Sequence, residues 1–142
     1  MKPGDTGGTN GALTITNNGT IAGFLNISNV THIVDQVTNH PESKTHTGKS
    51  AEDLFKVWIF FDENANGIKD GSDVDIYGTS GAYAAIGSMP TSCTVNQPLA
   101  ASPAHTHITL KYDWPSSADD NDAQGDIITF GFTVELSQNS IP

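Results

Sequence analysis

The sequence predicts an all-β sandwich of two antiparallel sheets, with about seven or eight short strands and little helix. Residues 105–114 and 127–136 each alternate strictly between apolar and polar side chains, as a strand buried on one face does. Only 15% of the residues are charged, whereas Gly, Thr, Ser and Asn are abundant. That composition favours short strands joined by turns, and strands with one apolar face imply two sheets packed together.

The N-terminal segment is predicted to open with a loop, because Gly and Asn dominate residues 1–11. Residues 12–17 then alternate as a strand does. The Asn-Asn-Gly sequence at 17–19 is typical of a tight hairpin turn, with residues 21–27 as the answering strand. A further strand is predicted over residues 32–37.

The middle of the chain mixes loops with one strongly apolar segment. Residues 38–50 are polar and predict a loop, followed by one short helical turn at 50–53. Residues 54–61 are apolar on both faces, which indicates a central strand buried on both sides. Residues 73–76 predict a short strand, and three prolines favour either a crossover or an irregular segment over residues 88–103.

Length and charge bound the class of protein. A chain of 142 residues suits a single domain over residues 1–142. The net charge of −10 disfavours nucleic acid and anionic membranes as partners, because an acidic surface repels both. No apolar run is long enough to span a membrane. The lone Cys93 cannot form an internal disulfide and is predicted to be a small buried hydrophobe rather than a catalytic thiol.

Residues 62–73 match the spacing of a calcium-binding loop. Side-chain oxygens stand at loop positions 1, 3, 5, 9 and 12, a glycine stands at position 6, and position 7 offers its carbonyl. Calcium takes six to eight oxygen ligands, which alternate residues of a tight loop bring together. The predicted Ca²⁺ ligands are Asp62, Asn64, Asn66, Ile68 through its carbonyl, Asp70 and Asp73.

Two features of this loop depart from the EF-hand pattern. Position 12 is Asp73 rather than Glu, which shortens the reach of the carboxylate, and the flanking segments are predicted strands rather than helices. The alternative interpretation is a hairpin turn rich in Asn, Asp and Gly that binds no metal. A calcium ion in this loop would have a structural role, joining two strands.

Three N-glycosylation sequons lie close together, at Asn18, Asn26 and Asn29. Their proximity favours an exported protein surface, although an Asn-rich chain also produces such sequons by chance.

Two further patterns have a metal-binding and a simpler interpretation. His105 and His107 alternate on one strand face, a spacing that either chelates a metal or merely faces solvent. Asp119, Asp120 and Asp122 form an acidic loop, which is either a solvated turn or a second cation site.

Two stretches carry a family resemblance. The sequence KPGD at residues 2–5, followed by LTITNNGT at 13–20, is similar to the opening of the TasA/camelysin family of biofilm-matrix fibre and archaeal bundling-pilus subunits. The sequence DNDAQGD at 120–126, running into the strand at 127–136, resembles the last strand of that family and the turn before it. The two stretches bracket nearly the whole chain.

The resemblance implies a secreted jelly-roll sandwich that polymerises into fibres or bundles pili. Such members join head to tail by donor-strand complementation, in which a strand of one subunit fills a groove in the next. Family chains have a strand before the Pro-Gly-Asp turn, so we expect residues upstream of Met1 to form the donor strand. The groove is expected to be lined by positions that otherwise belong to the core, namely Leu13, Ile15, Ile128, Phe130, Phe132 and Val134.

The predicted function is a structural subunit of an extracellular fibre or bundling pilus in a biofilm matrix, whose partners are other copies of itself. The alternative is a calcium-stabilised carbohydrate- or surface-binding module, with Trp58, Trp114 and Tyr77 as stacking platforms. An enzyme such as a camelysin-like protease is not expected, because the sequence has no HExxH, GxSxG or phosphate-binding motif.

Overall fold

The computed structural model describes residues 4–35, 51–116 and 126–142. The strands are β1 (Thr6–Asn17), β2 (Gly23–Asp35), β3 (Lys56–Asp62), β4 (Asp75–Tyr77), β5 (Ala84–Ala85), β6 (Cys93–Leu99), β7 (Ala104–Asp113) and β8 (Ile127–Ser137). The helices are α1 (Ala51–Leu54) and a 3₁₀ turn over Ile86–Ser88. Within these residues no helix has the length and apolar character needed to cross a membrane.

The strands form two antiparallel sheets, which confirms the predicted sandwich. The larger, five-stranded sheet has the order β1-β7-β3-β4, with β5 also paired to β3. The smaller, three-stranded sheet has the order β6-β2-β8. The chain changes sheet after β1, β2, β5, β6 and β7, so strands that follow each other in sequence are seldom paired.

The core lies between the two sheets and is centred on β3. Residues 57–62 of β3 are all buried, as the apolar pattern on both faces predicts. β7 pairs with one edge of β3, and β4 and β5 pair with the other. The smaller sheet contributes Leu25 and Ile27 to the same core. Each such side chain stabilises the fold by roughly 1.5–3 kcal/mol when it is fully buried.

β1 begins earlier than the sequence predicts, because residues 6–11 are strand rather than loop. Gly8 pairs with Lys111 of β7. A Cβ atom at Gly8 would lie 2.4 Å from the carbonyl oxygen of Leu110, so only glycine lets β1 approach β7 this closely. The glycine content that favours a loop by composition therefore permits a strand in this position.

The Asn-Asn-Gly turn at 17–19 is not the predicted hairpin, because β1 and β2 belong to different sheets. Asn17 is buried, and its amide donates to the carbonyl oxygens of Ile21 and Ala100, each at 2.9 Å. Its side-chain oxygen accepts from the backbone N–H of Gly19 at 2.9 Å. The asparagine therefore anchors a crossover between the sheets.

β6 lies inside the segment 88–103, so the interpretation of that segment as irregular is wrong, whereas the chain does cross between the two sheets on either side of β6. Pro98 is part of β6 and is paired in register with Phe24 of β2. Within the described ranges β6 pairs with β2 alone, and an edge strand tolerates a proline that cannot donate to a ladder.

The remaining elements lie close to their predicted places. The strands expected at 21–27 and 32–37 are one strand, β2, whose register with β8 shifts between Ser28 and Thr31. Asn29 has a φ of 48° at this bulge. The predicted helical turn and the strands at 54–61, 73–76, 105–114 and 127–136 correspond to α1, β3, β4, β7 and β8.

Several predictions fall outside the described residues. These are the loop at 38–50, the acidic loop of Asp119, Asp120 and Asp122, and most of the family-like stretches at 2–5 and 120–126.

Replacing Asn17 by Ala is expected to lower the free energy of unfolding by about 2–4 kcal/mol, because buried backbone groups lose their hydrogen-bond partners. The matched control is Asn18→Ala, since Asn18 is exposed and its loss should change stability by less than about 0.5 kcal/mol. Urea unfolding measures both variants. Equal losses in the two variants would contradict the anchoring role of Asn17.

Candidate functional site

The predicted calcium loop begins at the end of β3, where Asp62 is fully buried. Its carboxylate accepts hydrogen bonds from the backbone N–H groups of Asn66 at 3.2 Å and Gly67 at 2.9 Å. The hydroxyl of Thr109 on β7 donates to the same carboxylate at 2.6 Å. A buried carboxylate needs such partners, so these bonds fix the start of the loop against the sheet.

Asp73 closes the far end of the loop and is also buried. One of its carboxylate oxygens accepts from the backbone N–H of Glu63 at 2.9 Å. The other accepts from the backbone N–H of Asp70 at 3.1 Å. Asp73 therefore connects Glu63 and Asp70, the second and ninth positions of the loop. These hydrogen bonds close the loop on itself, unlike an open hairpin.

The asparagines inside the loop turn their oxygens toward its own backbone. The Asn64 oxygen accepts from the N–H of Asn66 at 3.0 Å. Because Asp62 accepts from the same N–H, the two oxygens lie beside each other. The Asn66 oxygen accepts from the N–H of Ile68 at 2.6 Å, and its amide donates to Asp70 at 2.9 Å.

The donor set of this loop fits a hard cation by type, since it consists of carboxylate, amide and carbonyl oxygens. In the described ranges no group of three or more His, Cys, Asp or Glu side chains is placed to hold a metal ion. The three aspartates of the loop therefore do not form an acidic cluster by themselves. A calcium ion would also need the oxygens at loop positions 3, 5 and 7, and calcium binding stays a prediction.

The loop packs against the outer face of the larger sheet. The backbone N–H of Gly11 in β1 donates to the Thr109 hydroxyl at 2.8 Å. The amide of Asn10 donates to the carbonyl oxygen of Asn66 at 3.3 Å. Thr109 is thereby completely buried, although its place in β7 points away from the core. The alternating pattern of β7 places Thr109 on its polar, solvent-facing side. Because a loop distant in sequence covers that side, the pattern gave no indication that Thr109 is buried.

The predicted groove residues lie on two edge strands, one in each sheet. Leu13 and Ile15 belong to β1, which in the described part of the chain pairs only with β7. The other four belong to β8, which pairs there only with β2. The core-facing side chains of β8 pack against the core but are only half-buried: Ile128, Phe130, Phe132 and Val134.

The unpaired edge of β8 is long, because the strand has 11 residues. Leu136 lies near its end, in register with the buried Leu25, and is 46% exposed. On β1, Leu13 is 47% exposed. An unpaired edge of this length offers backbone N–H and C=O groups with which another strand can pair.

Two of the three sequons are accessible in the folded domain. Asn18 and Asn29 are exposed. Asn26 is buried, and its side-chain oxygen accepts from the backbone N–H groups of Val95 at 2.7 Å and Asn96 at 2.8 Å. The amide nitrogen that would carry a glycan donates to the side-chain oxygen of Asn96 at 3.3 Å, so the folded domain has no room for a sugar at the buried Asn26.

The aromatic residues proposed as stacking platforms do not present free faces. Trp58 and Trp114 are both buried. The indole N–H of Trp58 donates to Asp75 at 2.7 Å, and the Trp58 ring stacks on Phe60. Tyr77 donates its hydroxyl to the carbonyl oxygen of Ala85 at 2.7 Å. The two tryptophans are therefore not available as stacking platforms, and carbohydrate binding stays a prediction.

Cys93 and the His105–His107 pair are the side chains for which the sequence also offers a catalytic or metal-binding interpretation. Cys93 is half-buried against the core, and burial raises the pKa of its thiol. A raised pKa keeps the thiol protonated at neutral pH, where it is a poor nucleophile. Burial, and then the nearby Cys93, also raise the pKa of Tyr77. His105 is exposed, with its ring 5.5 Å from that of His107.

No protein-family model matches this chain, and neither a curated protein nor a solved structure matches it. The resemblance to the TasA/camelysin family therefore stays a prediction, and function is argued from the residues described above.

Replacing Thr109 by Val is expected to lower the free energy of unfolding by about 2–4 kcal/mol, because the buried carboxylate of Asp62 loses a donor and Gly11 loses an acceptor. Thr129→Val is the matched control, since Thr129 is exposed on β8 and its loss should cost less than about 0.5 kcal/mol. Denaturant unfolding compares the two. A wild-type stability for Thr109→Val would refute the anchoring of the loop by this hydroxyl.

Proposed function

We propose that this domain is a structural subunit of a secreted extracellular fibre or bundling pilus, and that its copies join head to tail by donor-strand complementation. One observation carries the proposal: β8 has a long edge that no other described residue pairs with, and its core-facing apolar side chains are only half-buried. The fold resembles the implied jelly roll in having two antiparallel sheets.

The imbalance between the sheets supports an acceptor site beside β8. The larger sheet has five strands and the smaller has three. An extended segment of a neighbouring copy, added next to β8, would give the smaller sheet a fourth strand. Its backbone would form hydrogen bonds with the unpaired N–H and C=O groups of β8, and its side chains would cover the half-exposed apolar side chains of that strand.

Head-to-tail addition of this kind produces a filament. The donating segment and the accepting edge are different surfaces, so the contact is heterologous and leaves one free surface at each end of the assembly. Repetition of the same contact extends the filament, without any requirement for a second type of subunit.

The substitution Leu136→Asp is expected to prevent filament formation, because it places a charge on the core-facing side of the accepting edge. The matched control is Ile33→Asp. Ile33 is 59% exposed on β2, on the face opposite the core-facing residues. Negative-stain electron microscopy and sedimentation of the full mature chain measure assembly, with circular dichroism confirming that both variants fold. Filaments of normal length from folded Leu136→Asp protein would reject the β8 edge as the acceptor.

We also propose that calcium loads the loop at 62–73 and fixes it on the outer face of the larger sheet. The oxygen donor set, the ties at Asp62 and Asp73 and the contacts of the loop with β1 support this role. The ion would have a structural function, strengthening the domain against the mechanical and chemical conditions outside a cell.

At a free calcium concentration about 100 times Kd, the melting temperature is expected to rise by about 5–10 °C, since binding of that strength stabilises the fold by about 2.7 kcal/mol. Asp73→Ala should remove the difference between calcium and chelator. Glu63→Ala should keep it, because the Glu63 side chain is exposed and only its backbone binds Asp73. Differential scanning calorimetry measures all three proteins, and a melting temperature indifferent to calcium would exclude this role.

A further inference from the structure

We propose that a cleft on the outer face of the larger sheet binds an extended, carboxylate-bearing polysaccharide. The cleft has a volume of about 940 Å³. Its floor crosses three neighbouring strands, β1, β7 and β3, and the loop at 80–83 forms a wall. It includes none of the groove residues of β1 and β8, so it is independent of the fibre proposal.

Glycines keep the cleft open. Gly7 and Gly8 of β1 line the floor, where they add no side chain above the backbone. Gly81 lies in the wall, and a Cβ atom built on it meets nothing within 4 Å. A polymer can therefore lie close to the backbone along the floor, and the wall has room for a larger side chain without strain on the fold.

The cleft concentrates positive charge in an acidic protein. The described ranges contain three lysines in a chain of net charge −10, and two of them, Lys56 and Lys111, line this cleft. The third, Lys69, lies elsewhere and is paired with Asp75 at 2.9 Å. Asp113 is the one carboxylate among the residues that line the cleft, so the two lysines leave a local net positive charge that favours an anionic group there.

The donors of the cleft are available to a ligand. The ammonium group of Lys56 has no hydrogen-bond or ion-pair partner among the described residues, although Asp113 stands opposite it on β7. The hydroxyl of Tyr83 also lacks a partner there, whereas the Tyr112 ring stacks on Phe55 and packs against the core. Lys111 is held by Asn10, whose oxygen accepts from the ammonium at 2.6 Å. Donors thus outnumber acceptors, which suits carboxylate and hydroxyl oxygens.

The strand pairing favours a polysaccharide over an added peptide strand. β7 and β3 have partners on both sides, so their backbone groups are used within the sheet. A ligand that lies across β7 and β3 must therefore be recognised by side chains. Tyr83 offers a ring that lies beside Trp58, with the ring centroids 6.0 Å apart and the ring planes tilted by 44°, and an aromatic ring of this kind can stack against a sugar.

The test is isothermal titration calorimetry of the folded protein with oligogalacturonate as the probe. Binding is expected at low salt and should weaken as salt screens the charges. Lys56→Met and the wall variant Gly81→Tyr should each weaken binding about tenfold or more, whereas Lys69→Met should stay within about twofold of the wild type. Gly81→Tyr tests the cleft without removing a charge, and unchanged melting temperatures establish that the variants fold.

Three outcomes would overturn the proposal. The first is no binding of oligogalacturonate at low salt. The second is an equal loss of affinity in Lys69→Met and Lys56→Met, which would indicate a diffuse charge effect. The third is equally tight binding of polyglutamate that Gly81→Tyr also blocks, which would assign the cleft to an acidic peptide. Filament formation is measured separately and is unaffected by these variants if the two sites are distinct.

Discussion

The free edge of β8 is the constraint on which the proposed assembly depends. In the described part of the chain the smaller sheet has three strands facing five, so the core-facing side chains of β8 have a neighbouring strand on one side only. Phe130 and Phe132 consequently stay half-buried, although their rings pack 5.4 Å apart and contact the core. Completing the burial of such rings stabilises a structure by up to roughly 1.5–3 kcal/mol each, and a strand from a neighbour would add backbone hydrogen bonds.

A loop covers one part of the outer face of the larger sheet, and another part is open. The loop at 62–73 lies over one part through the buried contact between Asp62 and Thr109. The other part is the open cleft that Lys56 and Lys111 line. Lys111 joins the two parts, because its ammonium donates to Asn10, which also contacts the loop at Asn66. Ordering of the loop by calcium would therefore stabilise the part of the cleft floor that Lys111 occupies, which links the two proposals through β1.

The sequence predicts the regular elements well and the connections poorly, for a physical reason. Alternation over 105–114 and 127–136 reports burial of one face, and the fold class and long strands follow from it. Gly8, Asn17 and Pro98 are local signals for loops and turns, but strand pairing and sheet crossovers decide their real roles. The spacing of the loop at 62–73 can be read from one segment of the sequence. The hydrogen bond of the loop to Thr109 and the charged cleft each bring together residues that are distant in sequence, so no local pattern predicts them.

The most direct test of the central claim is amide hydrogen exchange along β8, compared between the monomer and the filament. The account predicts that amides of β8 facing away from β2 exchange fast in the monomer and become strongly protected in the filament. Amides facing β2 should be protected in both states. Full protection of both sets in the monomer, or no change on assembly, would contradict an accepting edge at β8.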